Sequence, residues 1–359
     1  MSNHTCIHCG CVLADDEVFT FQDEDYCEEC LEEVTVQCDY CGRRIYRDND
    51  EGDEHISLCS RCYSDHYVAC DRCGRLIRNE DAYYEDDDED TPYCNHCFQN
   101  ITWIHSYNYK PDPVFFGDGK RYFGVELEVD RGGEIHGNAR RVTELAPEQI
   151  YCKHDGSLDD GLEIVTHPMT LDYHCNQMPW QNIVDLLKEM GYRSHQTTTA
   201  GLHVHVNRSS LGDTYDQQEE TIARILFFVE KHWDELVKFS RRTLSQLERW
   251  ANRYGYKDCP KDILKTAKGG YGRYASVNLC NDATIEFRFF RGTLKYNTII
   301  AALQLVNRIC DAAFCLSDEE LKPLSWTSFV AGCTEPELIQ YLKERKLYIN
   351  EPVESEAEV

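Results

Sequence analysis

The sequence has no apolar run long enough to cross a membrane and no recognisable export leader. None of its 359 residues lies in a stretch approaching the roughly 18 uncharged apolar residues of a membrane helix. The first ten residues, MSNHTCIHCG, lack the basic and apolar regions of a signal peptide. We therefore expect a cytoplasmic protein with no membrane segment.

Positive charge is also scarce. The chain has 37 Lys and Arg against 64 Asp and Glu, which gives a net charge of −27. The deficit is largest in residues 1–100, which carry 26 acids and 7 arginines. Sequence-independent binding of nucleic acid needs a basic surface. A nucleic acid is therefore not the expected partner, although a local basic pocket remains compatible with this composition.

Two common catalytic motifs are missing. The sequence contains no GxxxxGK[ST] loop for nucleotide phosphates and no GxSxG turn for a nucleophilic serine. If the protein binds a nucleoside triphosphate, other side chains and metal ions must hold its phosphates.

Cysteine, in contrast, is abundant. Twelve of the 20 cysteines form six CxxC pairs within residues 1–100. In a reducing compartment such spacing indicates metal binding, with redox or disulfide chemistry as the alternative. A module of about 30 residues cannot bury enough surface to fold alone, and structural zinc supplies roughly 10–16 kcal/mol to such peptides. Zinc is therefore the favoured interpretation.

The cysteine pairs repeat with a period of about 32 residues. CDYCGRRI at 38 and CDRCGRLI at 70 are nearly identical. Alternation of a CxxCG knuckle with a second CxxC pair predicts three sequential, treble-clef-like zinc modules; an interleaved arrangement is the alternative. Filling all four positions with cysteine makes each zinc structural. The predicted ligand sets are Cys6, Cys9, Cys27 and Cys30; Cys38, Cys41, Cys59 and Cys62; and Cys70, Cys73, Cys94 and Cys97.

The composition changes after the cysteine array. We predict the modules in 1–100, a linker in 101–118, a catalytic domain in 119–350 and an acidic tail in 351–359. The catalytic domain shows strand patterns without regular βαβ alternation, so we expect an α+β fold, with an antiparallel sheet and helices on one face. Apolar spacing predicts long helices at 216–240 and 296–316, and strands at 121–130, 149–154, 160–166, 201–208, 273–280 and 283–291.

Several predicted strands carry paired polar residues. Residues i and i+2 of a strand share a face, so Glu126 and Glu128 point to one side, as do His203 and His205. TIEFRFFR likewise predicts Glu286, Arg288 and Phe290 on one face. Taken singly, these patterns also fit a solvated strand face, paired core histidines or an internal ion pair. Together they indicate a site that holds divalent metal and a polyphosphate.

These strings resemble a known family. FGVELEV, HDGSLDDGLEIVTHP, GLHVHVN, RYASVNL and TIEFRFFRGT look like the putative amidoligase family of the carboxylate–amine ligase superfamily, which is similar in fold to glutamine synthetase and glutamate–cysteine ligase. The cysteine modules resemble LIM and zinc-ribbon modules, although the seven residues between successive modules depart from the LIM pattern.

The resemblance implies the following roles. The catalytic residues would be Glu126, Glu128, Glu163, His203, Glu286 and Arg288. The ligands of two Mg²⁺ or Mn²⁺ ions would be Glu126, Glu128, Asp155, Glu163, His203 and Glu286, with Asp155 standing where the family has Glu. The contacts to ATP would come from His205, Arg288, Arg291, Lys153 and Asn278.

The function implied is an ATP-dependent ligase that forms an amide bond through an acyl phosphate. Its substrate would be a peptide, a protein or an amino-acid-like molecule, and the zinc modules would recruit a protein substrate or partner. Two alternatives remain open at this stage: a catalytically inactive zinc-module adaptor, and a different phosphotransfer reaction on the same fold.

Overall fold

The computed structural model describes residues 4–85, 88–99, 103–270 and 272–348. The chain divides into two compact units, Met1–Ile101 and Thr102–Val359. The acidic tail predicted at 351–359 lies outside the described residues.

The first unit repeats one small motif three times. In each repeat a CxxCG knuckle connects the two strands of a short hairpin, and the second CxxC pair lies at the start of a helix. The elements are β1 (His4–Thr5), β2 (Val12–Leu13), β3 (Phe19–Phe21), β4 (Glu24–Tyr26), α1 (Glu28–Val34), β5 (Thr35–Gln37), β6 (Arg44–Tyr46), α2 (Ser60–His66), β7 (Tyr67–Ala69), β8 (Leu76–Arg78), β9 (Tyr83–Glu85), β10 (Asp88–Tyr93) and α3 (Asn95–Gln99).

Successive modules contact each other through equivalent positions of the repeat. The Arg47 Nε donates to the Glu33 carbonyl at 2.8 Å, at the end of α1. Thirty-two residues later, the Asn79 side chain donates to the Asp65 carbonyl in α2 at 3.3 Å. The last carbonyls of a helix have no partner within the helix, so these bonds satisfy them from the next module. The three modules therefore form one continuous array in which each contacts the next.

The second unit is built around one seven-stranded sheet. Its strands are β11 (Ile104–His105), β12 (Phe123–Val129), β13 (Ile150–Lys153), β14 (Leu162–Thr166), β15 (Gly201–Asn207), β16 (Val277–Asn278) and β17 (Thr284–Arg291). Its helices are α4 (His136–Glu144), α5 (Leu171–Asn176), α6 (Trp180–Glu189), α7 (Tyr215–Lys231), α8 (Trp233–Ser240), α9 (Leu244–Trp250), α10 (Pro260–Lys268), α11 (Tyr296–Cys315), α12 (Asp318–Leu321), α13 (Trp326–Ala331) and α14 (Pro336–Glu344).

The strand order is β11-β13-β14-β12-β15-β17-β16. The predicted α+β class is confirmed, and the pairings are antiparallel except at one edge, where β11 runs parallel to β13. Strand β11 lies in the segment predicted as a linker. A strand of two residues has no alternation to detect, so the sequence could not reveal it.

The core lies on the apolar side of the central strands. Val125, Leu127 and Val129 of β12 have no solvent-accessible surface, and α11 packs against β15, α7 and α14. By length and composition α11 could cross a membrane, but 67% of its apolar window is buried inside this core. Its apolarity is thus explained by packing.

The helix predicted at 216–240 is two helices. Its backbone leaves the helical conformation at His232, and the ring of that residue packs 4.6 Å from the ring of Phe228. Apolar residues recur at helical spacing on both sides of the break, so the periodicity alone did not indicate it.

Candidate active site and zinc centres

The second and third modules gather the predicted cysteines. In each, the four sulfurs lie within 4.8 Å of one another, as a tetrahedral zinc site requires. These sets are Cys38, Cys41, Cys59 and Cys62, and Cys70, Cys73, Cys94 and Cys97.

The first module differs by one residue. Its compact group consists of Cys6, Cys9, Cys11 and Cys27, whereas Cys30 is grouped with His8 and Glu33. The Cys9 and Cys11 sulfurs are 3.3 Å apart. Hydrogen bonding to Cys27 and then burial raise the pKa of Cys30, so this thiol also borders the cluster. Five thiols therefore converge where four were predicted, because the residue after CxxCG is cysteine here and arginine in the other two modules.

The knuckles share a backbone geometry that favours thiolate. Gly10, Gly42 and Gly74 have φ of +76°, +72° and +72°, which glycine adopts without strain. Burial opposes ionisation of Cys38 and Cys70, but backbone N–H groups outweigh it and lower the pKa of each thiol to about 6. Because the thiolate is the form that binds zinc, the array is suited to structural zinc.

In the second unit, strand register brings the predicted acids and bases onto one face. Directly opposed residues of antiparallel strands share a face. Glu163 is paired with both Lys153 and Glu128, which forms one row across three strands. The next row pairs Glu126 with His203.

A third row pairs His205 with Glu286 and Glu286 with Asn278. The Asn278 amide donates to the Glu286 carboxylate at 2.7 Å. Arg288 Nη1 also donates to Glu286, so two neighbours hold this carboxylate in place.

A β-bulge changes the face of the last residues of β17. Val204 is opposite Phe287, but Leu202 is opposite Phe290, so one extra residue is accommodated in β17. Phe290, predicted on the site face, is on the core face instead and is 2% exposed. Arg291 is opposite Gly201, which places its side chain on the site face. Bulges often re-aim side chains beside functional sites, and strict alternation cannot predict them.

His203 is the centre of the cluster. It is 3% exposed, and its Nδ1 is 3.1 Å from Glu126 and 3.5 Å from Glu286. Its Nε2 is 3.6 Å from Glu128. Glu126, His203 and Glu286 each offer a ligand atom within 4.8 Å of the others, so they can hold one cation together.

The remaining predicted residues surround this centre. His205 Nε2 is 3.1 Å from Glu126, and Lys153 Nζ is 3.1 Å from Glu163. Asp155 lies in the turn between β13 and β14, where its Oδ1 accepts the Ser157 N–H at 2.6 Å. Its negative charge contributes to the raised pKa of both Glu128 and Glu163.

The acids have opposite protonation tendencies. Burial opposes ionisation of Glu126, but the charge of His205 and bonds from both histidines hold its pKa well below the usual range. Burial and then the charge of Glu126 raise the pKa of Glu163 well above that range, although Lys153 opposes this. Burial also raises the pKa of Glu128. The protein's own cations stabilise the Glu126 carboxylate but not those of Glu128 and Glu163, and such excess buried negative charge is expected of a cation-binding site.

Arg242 was not predicted to lie in this site. It is 6% exposed. It comes directly after Arg241, which ends α8 in a left-handed conformation with φ of +65°. A Cβ on Gly201 would lie 2.1 Å from Arg242 Nη2 and 2.8 Å from His203 Nε2. The guanidinium therefore fills the space beside His203 that glycine leaves. A pair of arginines just past a helix end was the only indication in the sequence.

The donor set fits a hard divalent cation. Carboxylate oxygens suit Mg²⁺ or Mn²⁺, whereas thiolates suit zinc, and one imidazole among four carboxylates leaves this donor set predominantly hard. Glu126, Glu128, Glu163, His203 and Glu286 supply such donors on one side of the sheet.

The comparison with protein families agrees with the resemblance noted in the sequence. Residues 143–310 match the family described as "Putative amidoligase enzyme". No curated protein matches the chain. Among solved structures, a crystal structure described as a novel glutamine synthase homolog matches with a TM-score of 0.35 and 14% identity. That match covers 63% of this chain and 64% of the other, so it spans less than two thirds of that protein.

Proposed function

We propose that this chain, whose residues 143–310 match the putative amidoligase family, is an ATP-dependent carboxylate–amine ligase. The observation that supports the proposal best is the cluster of Glu126, His203 and Glu286, with Glu128 and Glu163 in the adjacent row. Four acids, Glu126, Glu128, Glu163 and Glu286, share a face with Lys153, Arg288 and Arg291, and Asp155 lies in the adjacent turn. In a magnesium–polyphosphate complex, the acids would bind the cation and the lysine and arginines would bind the phosphate oxygens.

In the proposed reaction a substrate carboxylate attacks the γ-phosphorus of ATP, and ADP leaves. The resulting acyl phosphate is attacked at carbon by an amine, which loses a proton as phosphate leaves and the amide forms. Two divalent ions held by the acids and His203 would supply the positive charge that phosphoryl transfer requires. Arg288 and Lys153, each paired with a carboxylate of the cluster, would orient the phosphoryl oxygens.

The zinc modules are proposed to recruit a peptide or protein substrate. Their closed cysteine sites leave no open position for chemistry, so recruitment suits them better than catalysis. We also propose a cytoplasmic location, which is supported by cysteine spacing that indicates zinc binding rather than disulfides.

The test is calorimetric titration of MgATP into the wild-type protein and into the Glu126→Gln/Glu128→Gln variant. We expect magnesium-dependent binding that weakens at least about tenfold in the variant, because both ions lose a carboxylate ligand. The matched control is Glu148→Gln/Glu319→Gln, which removes two exposed acids and should leave binding unchanged.

A hydroxylamine-trapping screen of carboxylic acids then follows. An acyl phosphate reacts with hydroxylamine to give a stable hydroxamate, so hydroxamate formation with ADP release identifies the ligase and its acid substrate. ADP release without hydroxamate would indicate another phosphotransfer. No MgATP binding by folded, zinc-loaded protein would instead favour the inactive adaptor.

A further inference from the structure

Three arginines converge beside the acid cluster. Arg288 and Arg291 come from β17, and Arg242 comes from the turn after α8. Gly201 connects two of them, because Arg242 Nη2 lies over it and Arg291 is opposite it in the neighbouring strand. Arg288 is on the same face, where it pairs with Glu286. Arg242 is the most buried of them, at 6% exposure.

Two local features of the backbone create this convergence. The bulge in β17 brings Arg291 to the site face, opposite Gly201. Gly201 has no side chain, and that space is occupied by the Arg242 Nη2. Neither feature is needed to form the sheet, since an ordinary strand would place Arg291 in the core and a larger residue at 201 would displace Arg242.

The guanidinium groups keep unused hydrogen-bond donors. Arg242 Nη1, Arg288 Nε and Arg291 Nε are buried and have no hydrogen-bond partner among the described residues. Arg288 does pair with Glu286 through Nη1. No described carboxylate forms such an ion pair with Arg242, although Glu128 is close enough to influence it.

Burying like charges together is unfavourable without an opposite charge between them. Here Arg242 is buried, and its guanidinium lies over Gly201, which is opposite Arg291. A guanidinium with a free planar edge binds best to a flat or tetrahedral oxyanion, to which it donates two parallel hydrogen bonds.

We propose that Arg242, with Arg288 and Arg291, forms an oxyanion-binding subsite of this enzyme. The inference rests on the proposed ligase function and adds a residue that the sequence motifs do not contain. The oxyanion is either the substrate carboxylate or the phosphoryl group that leaves as phosphate, and Arg242 contacts it directly.

The experiment is titration of inorganic phosphate, and separately of acetate and L-glutamate, into full-length zinc-loaded protein. Each titration is made with and without saturating MgADP, and the affinity of MgADP itself is measured. The variants are Arg242→Gln, Arg242→Lys and Arg291→Gln. The control is Arg249→Gln, an exposed arginine that stacks on Trp250 with 4.5 Å from its guanidinium carbon to the ring centre.

We expect Arg242→Gln to weaken one of these anions at least about tenfold while the MgADP affinity changes less than about twofold. Arg291→Gln should weaken the same anion at least about tenfold. Arg242→Lys keeps the positive charge but cannot donate two parallel hydrogen bonds, so it should lose less anion affinity than Arg242→Gln. A loss for phosphate assigns the phosphoryl group, and a loss for acetate or L-glutamate assigns the carboxylate.

Equal anion affinities in wild type, Arg242→Gln and Arg291→Gln would overturn the subsite, and so would failure of folded wild-type protein to bind any of the three anions. Should Arg242→Gln fail to fold, the soluble Arg242→Lys and Arg291→Gln variants decide the matter. Failure of the ligase proposal looks different: wild type would not bind MgADP or MgATP, yet the anion titrations without nucleotide would still report on the arginines.

Discussion

The absence of a side chain at Gly201 leaves space in the site for Arg242 and His203. Gly201 lies at the start of β15, and its N–H donates to the Glu128 carboxylate. The side chains of Arg242 and His203 then occupy the volume above it. At this scale, the geometry of the acids and arginines depends on a residue that has no functional group.

Gly201→Ala should disrupt both groups at once. The added Cβ would lie 2.1 Å from Arg242 Nη2, so the arginine must move. We expect Mn²⁺ affinity to fall at least tenfold and the free energy of unfolding to fall by about 1–3 kcal/mol, as for other overpacked sites. Electron paramagnetic resonance counts bound Mn²⁺. The control is Gly156→Ala, where a Cβ meets nothing within 4 Å; equal Mn²⁺ affinity in both variants would contradict the prediction.

His174 should make stability depend on pH. Its ring is fully buried, with Nε2 3.1 Å from the Phe123 carbonyl and Nδ1 accepting from Trp180. Burial lowers its pKa to about 4. The unfolded chain, with a pKa near 6.5, then binds a proton that the folded chain excludes. This stabilisation is complete above pH 6.5, and about 3 kcal/mol of it should be lost as the pH falls to 4.

Urea unfolding of the second unit, followed in the full-length protein across this pH range, tests the effect. His174→Gln should be less stable at pH 7 but should lose less stability on acidification than wild type does. The exposed His136→Gln should behave as wild type. A pH profile of His174→Gln parallel to that of wild type would rule out this histidine as the cause.

Among the elements, β17 follows its sequence pattern only in part. TIEFRFFR alternates regularly as far as Arg288, and the bulge then shifts the register. The shift turns Phe290 toward Phe239, with ring centres 6.0 Å apart, and turns Arg291 toward the site. One strand thereby contributes an acid, two arginines and several core aromatics.

Phe290→Ala distinguishes the bulged strand from a regular one. Because Phe290 is in the core, the substitution should lower the free energy of unfolding by about 3–5 kcal/mol. On a regular strand this ring would lie in the polar site, and its removal would lower the free energy of unfolding much less. Chemical denaturation gives the value, with Phe314→Ala, 52% exposed, as the reference. Similar small losses for both would argue against the bulge.

At the scale of the whole molecule, two kinds of candidate metal ligand lie in separate units. Thiolates form the centres of Met1–Ile101, and carboxylates with imidazole form the site of Thr102–Val359. Soft and hard donors select different ions, so we expect that each unit can be loaded or stripped independently.

We expect three zinc ions per reduced chain. Cys41→Ser/Cys59→Ser should retain two, because the second module loses half of its ligands, and the exposed Cys315→Ser should retain three. Removing zinc with a chelator should expose residues 1–101 to protease while 102–348 stays protected, since structural zinc supplies the folding energy of such modules. Elemental analysis gives the zinc content, and mass spectrometry of the fragments gives the protease-sensitive regions. Zinc-free protein whose residues 1–101 remain folded would contradict the assignment.

Much of this protein follows from local patterns. Hydrophobic period and cysteine spacing predicted the α+β class, most strands of the sheet and the second and third thiol clusters. The i, i+2 pairs also predicted that Glu126 and Glu128, and His203 and His205, would share a face, because alternation is a property of any strand.

The sequence did not determine which strands are neighbours, and the pairing of β12 with both β14 and β15 is what assembles the acids around His203. Nor did it determine the bulge, the break at His232, the fifth thiol beside Cys9 or the place of Arg242. Each depends on contacts between residues far apart in the chain, which only the folded packing specifies. Local pattern therefore determined which residue types were available, and tertiary structure decided which of them meet.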